Sequence, residues 1–231
     1  PRPAVEGISA VDGVQISARA VAGFAPDLVL LFADDARFSS EFERIHVPVA
    51  VLHPDTYSEV VEDIGKLGVL CGREAESRRV IASMLAARDE VARHSDAAFR
   101  PSVYIEIDAT DPTRPWAAGK GSFMDELIAI AGGRNALDGL PSAFAQVSAE
   151  AVMRADPDVV LVAHAGIAGR DAAQELLGRP GWASLEAVKG HRVVSDIDGD
   201  LLSRPGPRLA DGLRALGDAL RRLSPVDGGT P

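Results

Sequence analysis

The amino-acid sequence predicts an α/β protein: two lobes with parallel sheets, joined by one long helix. Three observations predict it. Short, continuous apolar runs at Leu28–Phe32, Val47–Leu52, Val103–Ile107 and Val159–Ala163 read as strands buried on both faces, with helical stretches between them. A sixteen-residue block recurs, since Ile16–Leu31 overlays Val147–Val162 with eight identical pairs, and each copy reads as a short helix, a Pro-Asp break and a strand. Between the copies, Val80, Ile81, Met84, Leu85 and Val91 fall at helical spacing within an Arg73–Ala98 stretch free of Gly and Pro. At about 1.5 Å per residue that stretch is roughly 39 Å long, enough to join two lobes. A duplicated block implies two similar lobes, and two lobes imply a cleft in which a small molecule binds.

The elements follow in order. Residues 1–13 carry Gly and Pro and read as loop. Ser17 caps a helix running to about Phe24, and Pro26 ends it, because a residue before proline avoids the helical region. The Leu28–Phe32 strand precedes Asp34-Asp35, a helix around Ser39–Ile45, the Val47–Leu52 strand closed by His53-Pro54-Asp55, and a Tyr57–Leu67 helix. After the long helix come the Val103–Ile107 strand and a Pro-rich loop over Asp108–Ala118. Ser122 caps a helix to Ala131, stopped by Gly132-Gly133. The second copy of the block follows, then a helix around Ala172–Leu177 and a strand at Arg192–Ser195. An amphipathic helix over Leu209–Leu223 ends the ordered pattern. These elements divide the chain into an N-terminal lobe (1–72), a connecting helix (73–99), a C-terminal lobe (100–224) and a flexible tail (225–231).

Composition narrows the function. The net charge of −10 comes without a basic stripe, which argues against nucleic-acid binding, where Lys and Arg must neutralise phosphates. Cys71 is the only cysteine, so an intrachain disulfide and a cysteine-based zinc site are excluded; it reads as a buried small hydrophobe. No apolar run approaches bilayer length and no signal segment is evident, while the Pro1-Arg2-Pro3 start reads as processed or truncated. Enzyme motifs fail one by one. Gly119-Lys120-Gly121-Ser122 lacks the spacing of a phosphate loop, and neither a GxSxG elbow nor a GxGxxG after a strand is present. Asp196, Asp198 and Asp200 imitate part of a calcium loop, but Gly199 is misplaced and no closing glutamate follows; they read as a polar turn.

The two Ser-Ala…Pro-Asp blocks form a set with the long connector and three further motifs. These are Trp116-Ala117-Ala118-Gly119-Lys120-Gly121-Ser122-Phe123, Ala131-Gly132-Gly133-Arg134-Asn135 and Pro205-Gly206-Pro207-Arg208. From about residue 8 to 223 the set resembles ABC-transporter substrate-binding proteins of the class with a rigid helical connector, which carries vitamin B12, ferric siderophores or haem. Its closest resemblance is to the cobalamin-binding branch. The resemblance implies a non-enzymatic, extracytoplasmic protein, periplasmic or lipid-anchored. Such a protein needs no resident cofactor and hands a metal chelate to an ABC permease. Two departures stand out. The class begins with one more strand–helix unit, so the first lobe reads as incomplete. The class also docks its permease through a glutamate on each lobe. Glu150 matches in the second copy, but Arg19 occupies the equivalent position in the first, where a cation repels a permease arginine. That departure motivates an alternative, a relative that has lost transport and serves as a ligand sensor or oligomerisation domain.

A flat chelate with polar edges calls for aromatic faces and a few hydrogen-bonding groups at strand ends. Phe32 matches an aromatic ligand contact of the class, with core packing as the competing reading. Trp116 lies in the loop after Val103–Ile107 and is read either as a ligand contact or as loop packing. Asp200 and Arg204 follow the last strand and offer bonds to ligand edges, against a reading as solvated loop. His53 and His164 each follow a strand and invite metal ligation, but no HxH or HExxH spacing supports it, and a hydrogen-bonded strand end is the competing reading. Trp182, after Pro180-Gly181, is read as structural. The expected ligand-binding residues are therefore Phe32, His53, Trp116, Asp200 and Arg204, with Glu150 as the docking residue.

Overall fold

The computed structural model describes residues 17–32, 36–164 and 172–224. The predicted loop at 1–13, the Asp34-Asp35 pair and the tail at 225–231 lie outside the described residues. The chain divides into two compact units, Pro1–His53 and Pro54–Pro231.

In the first unit, helix α1 (Ala18–Ala22) precedes strand β1 (Val29–Leu31), helix α2 (Ala36–Arg44) and strand β2 (Val49–Val51). Strands β1 and β2 pair in parallel, Leu30 opposite Ala50 and Leu31 opposite Val51. Ser17 caps α1 as its sequence predicts, its hydroxyl accepting from the Ala20 N–H at 3.2 Å. Ala18 and Phe42 are buried, while Leu30 on β1 remains 47% exposed.

The second unit is a layered α/β structure. Helices α3 (Tyr57–Leu70) and α4 (Glu74–His94) lead into strand β3 (Ser102–Asp108). Next come β4 (Trp116–Ala118), α5 (Phe123–Ile130), β5 (Arg134–Asn135), β6 (Phe144–Gln146), α6 (Ala149–Ala155) and β7 (Val159–Val162). The chain ends with α7 (Ala172–Leu177), a 3-10 turn (Trp182–Ser184), α8 (Glu186–Lys189), β8 (Val193–Val194), α9 (Gly199–Ser203) and α10 (Leu209–Leu223). The sheet runs β6-β4-β3-β7-β8, with β5 also on β3. Its centre is parallel, as predicted: β3 pairs with β7 and β5, and β7 with β8. Strands β4 and β6 are antiparallel, a difference from the all-parallel expectation. Its cause lies in the segment read as loop. Asp108 accepts from the Thr110 N–H and hydroxyl, and Asp111 accepts from those of Thr113. These two local turns reverse the chain so that residues 116–118 return beside β3.

The strand period of two sorts the core onto two faces. Val103, Ile105, Val159 and Leu161 join one cluster with Tyr57, Met84 and Leu213. Tyr104, Val160 and Val162 join the other with Leu176 and Trp182. Helices α3, α4, α5 and α10 thus supply residues to one side, and α6, α7, the 3-10 turn and α8 to the other. Helix α4 ends four residues earlier than predicted and, at 21 residues and about 1.5 Å each, spans roughly 31 Å. It packs against α3 and α10. A Cβ on Gly217 would meet Val91 Cγ1 at 2.8 Å, so the small residue is what lets α10 approach α4. Cys71 corrects the sequence reading. It caps the C-terminus of α3 and is exposed, because the two residues that precede it, Val69 and Leu70, themselves lie on the outer face of the last turn.

Candidate functional site

Two of the expected ligand residues meet in the first unit. Phe32 follows β1 and His53 follows β2, and because these strands are parallel neighbours their ends lie side by side. The rings stack with centroids 5.9 Å apart and 29° between planes. Phe32 is 56% exposed, so it presents a face rather than filling the core. C-terminal ends of parallel strands are where open α/β sheets bind ligands.

In the second unit Trp116 opens β4 instead of lying in a loop, and is 43% exposed. Asp200 and Arg204 also differ from expectation, since they lie on and just after helix α9 rather than in a loop. The Arg204 Nε donates to Asp200 Oδ1 at 2.8 Å across one turn, so each charge is already answered by the other. Asp198 caps that helix by accepting from the Asp200 N–H, and Asp196 pairs with Arg222. The three aspartates have separate duties, and no group of three or more metal-ligating side chains occurs among the described residues. Trp182 is fully buried, in keeping with its structural reading.

Glu150 sits in the first turn of α6, exposed to solvent. Its own backbone N–H and the Ser148 hydroxyl hold its carboxyl below the usual carboxylate value, so the group is ionised at neutral pH. Arg19 holds the corresponding place on α1 and is exposed too. The two copies therefore present opposite charges from the same helical position.

The strongest electrostatic feature escaped sequence reasoning. Glu106 on β3 is fully buried. Its carboxylate accepts from both terminal nitrogens of Arg179, at 2.5 and 2.8 Å, from Tyr104 Oη at 3.1 Å, and bonds His164 Nε2 at 2.9 Å. Burial alone would raise the Glu106 pKa, but the bonds from His164 and Arg179 outweigh it and hold the carboxyl below its ordinary value. Burial, reinforced by the nearby Glu106 charge, pushes the Tyr104 phenol well above its usual range. The Arg179 guanidinium also lies 4.7 Å from the Trp182 ring centre. The signal was present in the sequence as a single acid inside an otherwise apolar strand, Val103-Tyr104-Ile105-Glu106-Ile107. A carboxylate buried there requires a cationic or hydrogen-bonding partner. His164 is thereby placed as a hydrogen-bonded strand end.

Beside this network lies a cavity of about 910 Å³, lined among others by Thr110, Thr113, Glu150, Met153, Arg179 and Trp182. No helix among the described residues is long and apolar enough to cross a membrane.

With this geometry in view, comparison with known proteins decides the family. The sequence pattern of the family described as Periplasmic binding protein matches residues 3–198. The chain belongs to the periplasmic binding protein family. Its members bind solutes and perform no covalent chemistry, so the resemblance noted in the sequence holds, and the chain is no enzyme. This periplasmic binding protein is 28% identical over 226 residues to YvrC, an ABC transporter substrate-binding lipoprotein of Bacillus subtilis (strain 168), covering 94% of this chain and 68% of the relative. It is 29% identical over 225 residues to a cobalamin-binding protein of Halobacterium salinarum, covering 91% of this chain and 57% of the relative, so the chain spans little more than half of that protein. Among solved structures it is similar to the periplasmic heme-binding protein BhuT in complex with two hemes. The TM-score is 0.76 at 28% identity, over 90% of this chain and 80% of that one.

Proposed function

We propose that this chain captures a flat metal chelate outside the cytoplasm and delivers it to an ABC importer, with a corrinoid such as cobalamin as first candidate and haem or a ferric siderophore as the others. The observation that carries the reading is the exposed Phe32–His53 stack at the ends of two parallel strands, in a chain of this family. Two stacked rings at a strand end offer a preformed apolar face to a macrocycle, and a stacking contact of this kind is worth about 0.5–1.5 kcal/mol beyond its buried area. Trp116 offers a further exposed ring. Asp200 and Arg204, already paired, contribute to ligand edges by exchanging part of their mutual bond for bonds to amides or carboxylates. Glu150 docks the permease as an ionised first-turn carboxylate, and Arg19 makes docking by the first unit unfavourable. The lipoprotein relative supports a location at the outer face of a membrane.

Titration with cyanocobalamin, haemin and ferrichrome, followed by calorimetry and by absorbance, tests this reading. At least one of the three is expected to bind saturably. Phe32→Ala is expected to weaken that ligand about tenfold, the equivalent of ~1.4 kcal/mol. Absence of heat and of spectral change with all three chelates overturns the ligand assignment.

A further inference from the structure

Helix α9 carries Asp200 and begins at a glycine whose role the ion pair does not explain. Its inner stripe is Gly199 and Leu202, both buried, and its outer stripe is Asp200 and Arg204, one turn apart. The inner stripe rests on the end of β7. A Cβ on Gly199 would lie 2.5 Å from the His164 carbonyl oxygen and 2.7 Å from the Ala163 carbonyl carbon. Those neighbours are main chain, so no side-chain rotation relieves the overlap. From the other side, a Cβ on Gly212 of α10 would run into the Leu201 carbonyl. Two glycines thus leave α9 a slot between the end of β7 and α10.

Glu106 holds the floor of that slot. The Ala163 N–H donates to the Glu106 carbonyl at 2.8 Å, and His164 Nε2 bonds the Glu106 carboxylate at 2.9 Å. One buried residue of β3 therefore secures both residues beneath Gly199, by its main chain and by its side chain. The helix is closed on itself as well: Asp198 caps its start, and the Ser203 hydroxyl donates to the Gly199 carbonyl at 2.8 Å. Local preference runs against the glycine, because alanine is the better helix former and restricts the unfolded chain more. Close approach to β7 is what glycine supplies here.

We infer that Gly199 is a positioning residue of the chelate site: by letting α9 seat on β7, it fixes where the Asp200–Arg204 pair meets the polar edge of the ligand. The inference rests on the chelate reading above and deepens it. Two side chains joined by a 2.8 Å bond exchange part of that bond for a ligand only when the ligand edge arrives at hydrogen-bonding distance. A methyl on Gly199 moves α9 outward by about 1 Å, since non-bonded contacts need about 3.5 Å. Misplacement of that size takes the pair out of range.

The test titrates the full chain with cyanocobalamin, haemin and ferrichrome and proceeds with the chelate that binds most tightly. Wild type, Gly199→Ala, Asp200→Ala and the double variant form a thermodynamic cycle. Gly139→Ala is the control, since a Cβ there meets open space. Gly199→Ala is expected to weaken the chelate about tenfold or more, and Asp200→Ala about fivefold. The double variant should lose no more than about twofold beyond Gly199→Ala alone, because the pair is already displaced. Gly139→Ala should stay within about twofold of wild type. Circular dichroism melts check folding. If Gly199→Ala does not fold, Gly212→Ala presses on the same helix from α10 and carries the same expectations. A Gly199→Ala protein that binds within about twofold of wild type overturns the inference. So does a cycle in which the two losses multiply, because the glycine then acts apart from the pair. Wild-type binding by Asp200→Ala removes the pair from the ligand and overturns the inference, while the chelate reading stands. Absence of binding by wild type to all three chelates overturns the chelate reading and the positioning role with it.

Discussion

The two copies of the Ser-Ala…Pro-Asp block share their local structure and differ in nearly everything around it. Ser17 and Ser148 cap α1 and α6 in the same way, each hydroxyl accepting at 3.2 Å from the N–H three residues on. Ala25 and Asp156 occupy equivalent positions before the proline, and both adopt left-handed backbone, with φ of 48° and 40°. The strands that follow part company. All four residues of β7 are buried between β3 and β8, whereas β1 pairs only with β2 among the described residues and leaves Leu30 exposed. The aspartate after the proline shows the same contrast. Asp158 accepts from the Ser102 N–H and hydroxyl, both at 2.7 Å, while Asp27 is exposed and has no such neighbouring strand among the described residues. Caps and turns are written within a few residues; burial is written by neighbours far away in sequence.

If the surroundings of the second copy are what set it apart, the largest effect comes from breaking them. Glu106→Ala strips the Arg179 guanidinium of the carboxylate it pairs with, and Arg179→Ala strips the buried Glu106 of its two guanidinium bonds, leaving it only Tyr104 and His164. Each is expected to cost about 3–5 kcal/mol in denaturant unfolding of the second unit. The double change Glu106→Gln with Arg179→Met should recover much of that loss, since it removes both charges together. Failure of the double variant to recover would mean that the network is held by Tyr104 and His164 rather than by the ion pair.

The aspartate pair gives a smaller and more direct comparison. Asp158→Ala strips the Ser102 N–H of its acceptor and should destabilise by about 2 kcal/mol, whereas Asp27→Ala should stay within about 0.5 kcal/mol. The pH dependence has a defined sign. Burial raises the Asp158 pKa, but the Ser102 bonds outweigh it and the folded value lies below the ordinary one. Its contribution is therefore complete above the unfolded pKa of about 3.9 and is lost as pH falls through the lower folded value. Glu106 behaves alike, being held low by His164 and Arg179. Urea unfolding between about pH 5 and pH 2 should show a shallower acid loss in Asp158→Ala than in wild type. Equal slopes would remove Asp158 from the account.

Much of the fold was legible for the same reason that the two copies agree. Helix α10 runs from Leu209 to Leu223 as its spacing predicts, and Ser122 caps α5, because periodicity and capping are local. The antiparallel β4 was not legible, since three residues after Pro115 form a strand only once the Asp108 and Asp111 turns carry them back to β3. Within the candidate site, resemblance pointed to Phe32 and strand-end position to His53, but their stacking depends on the pairing of β1 with β2, which no local pattern specifies. Glu106 left a visible mark in the sequence, an acid among apolar residues. Its partner Arg179, 73 residues away, left none. Asp200 and Arg204 sit at helical spacing, and that spacing, rather than loop position, decides that they bond each other.

The two serine caps should respond equally if the local code is truly shared. Ser17→Ala and Ser148→Ala are each expected to cost about 1 kcal/mol, read by amide hydrogen exchange in α1 and α6 separately because a chain of two units need not unfold in one step. A large effect at Ser148 alone would show that the cap of α6 depends on tertiary contacts as well.

The smallest expected effects carry opposite signs, which makes them the sharpest comparison. Ala25 pays about 1–2 kcal/mol for left-handed backbone, and glycine removes most of that cost while adding entropy to the unfolded chain. Ala25→Gly should therefore stabilise the first unit by about 0.5–1 kcal/mol. Asp156 tolerates the same backbone better and does a second job, its Oδ1 accepting from the Glu186 N–H at 2.9 Å and tying the end of α6 to the start of α8. Asp156→Gly gains little from the backbone and loses that bond, so it should destabilise the second unit by about 0.5–1 kcal/mol. Hydrogen exchange read in each unit separates the two outcomes. If both glycines stabilise, the Asp156 bond contributes nothing, and the two copies are closer to equivalent than their surroundings imply.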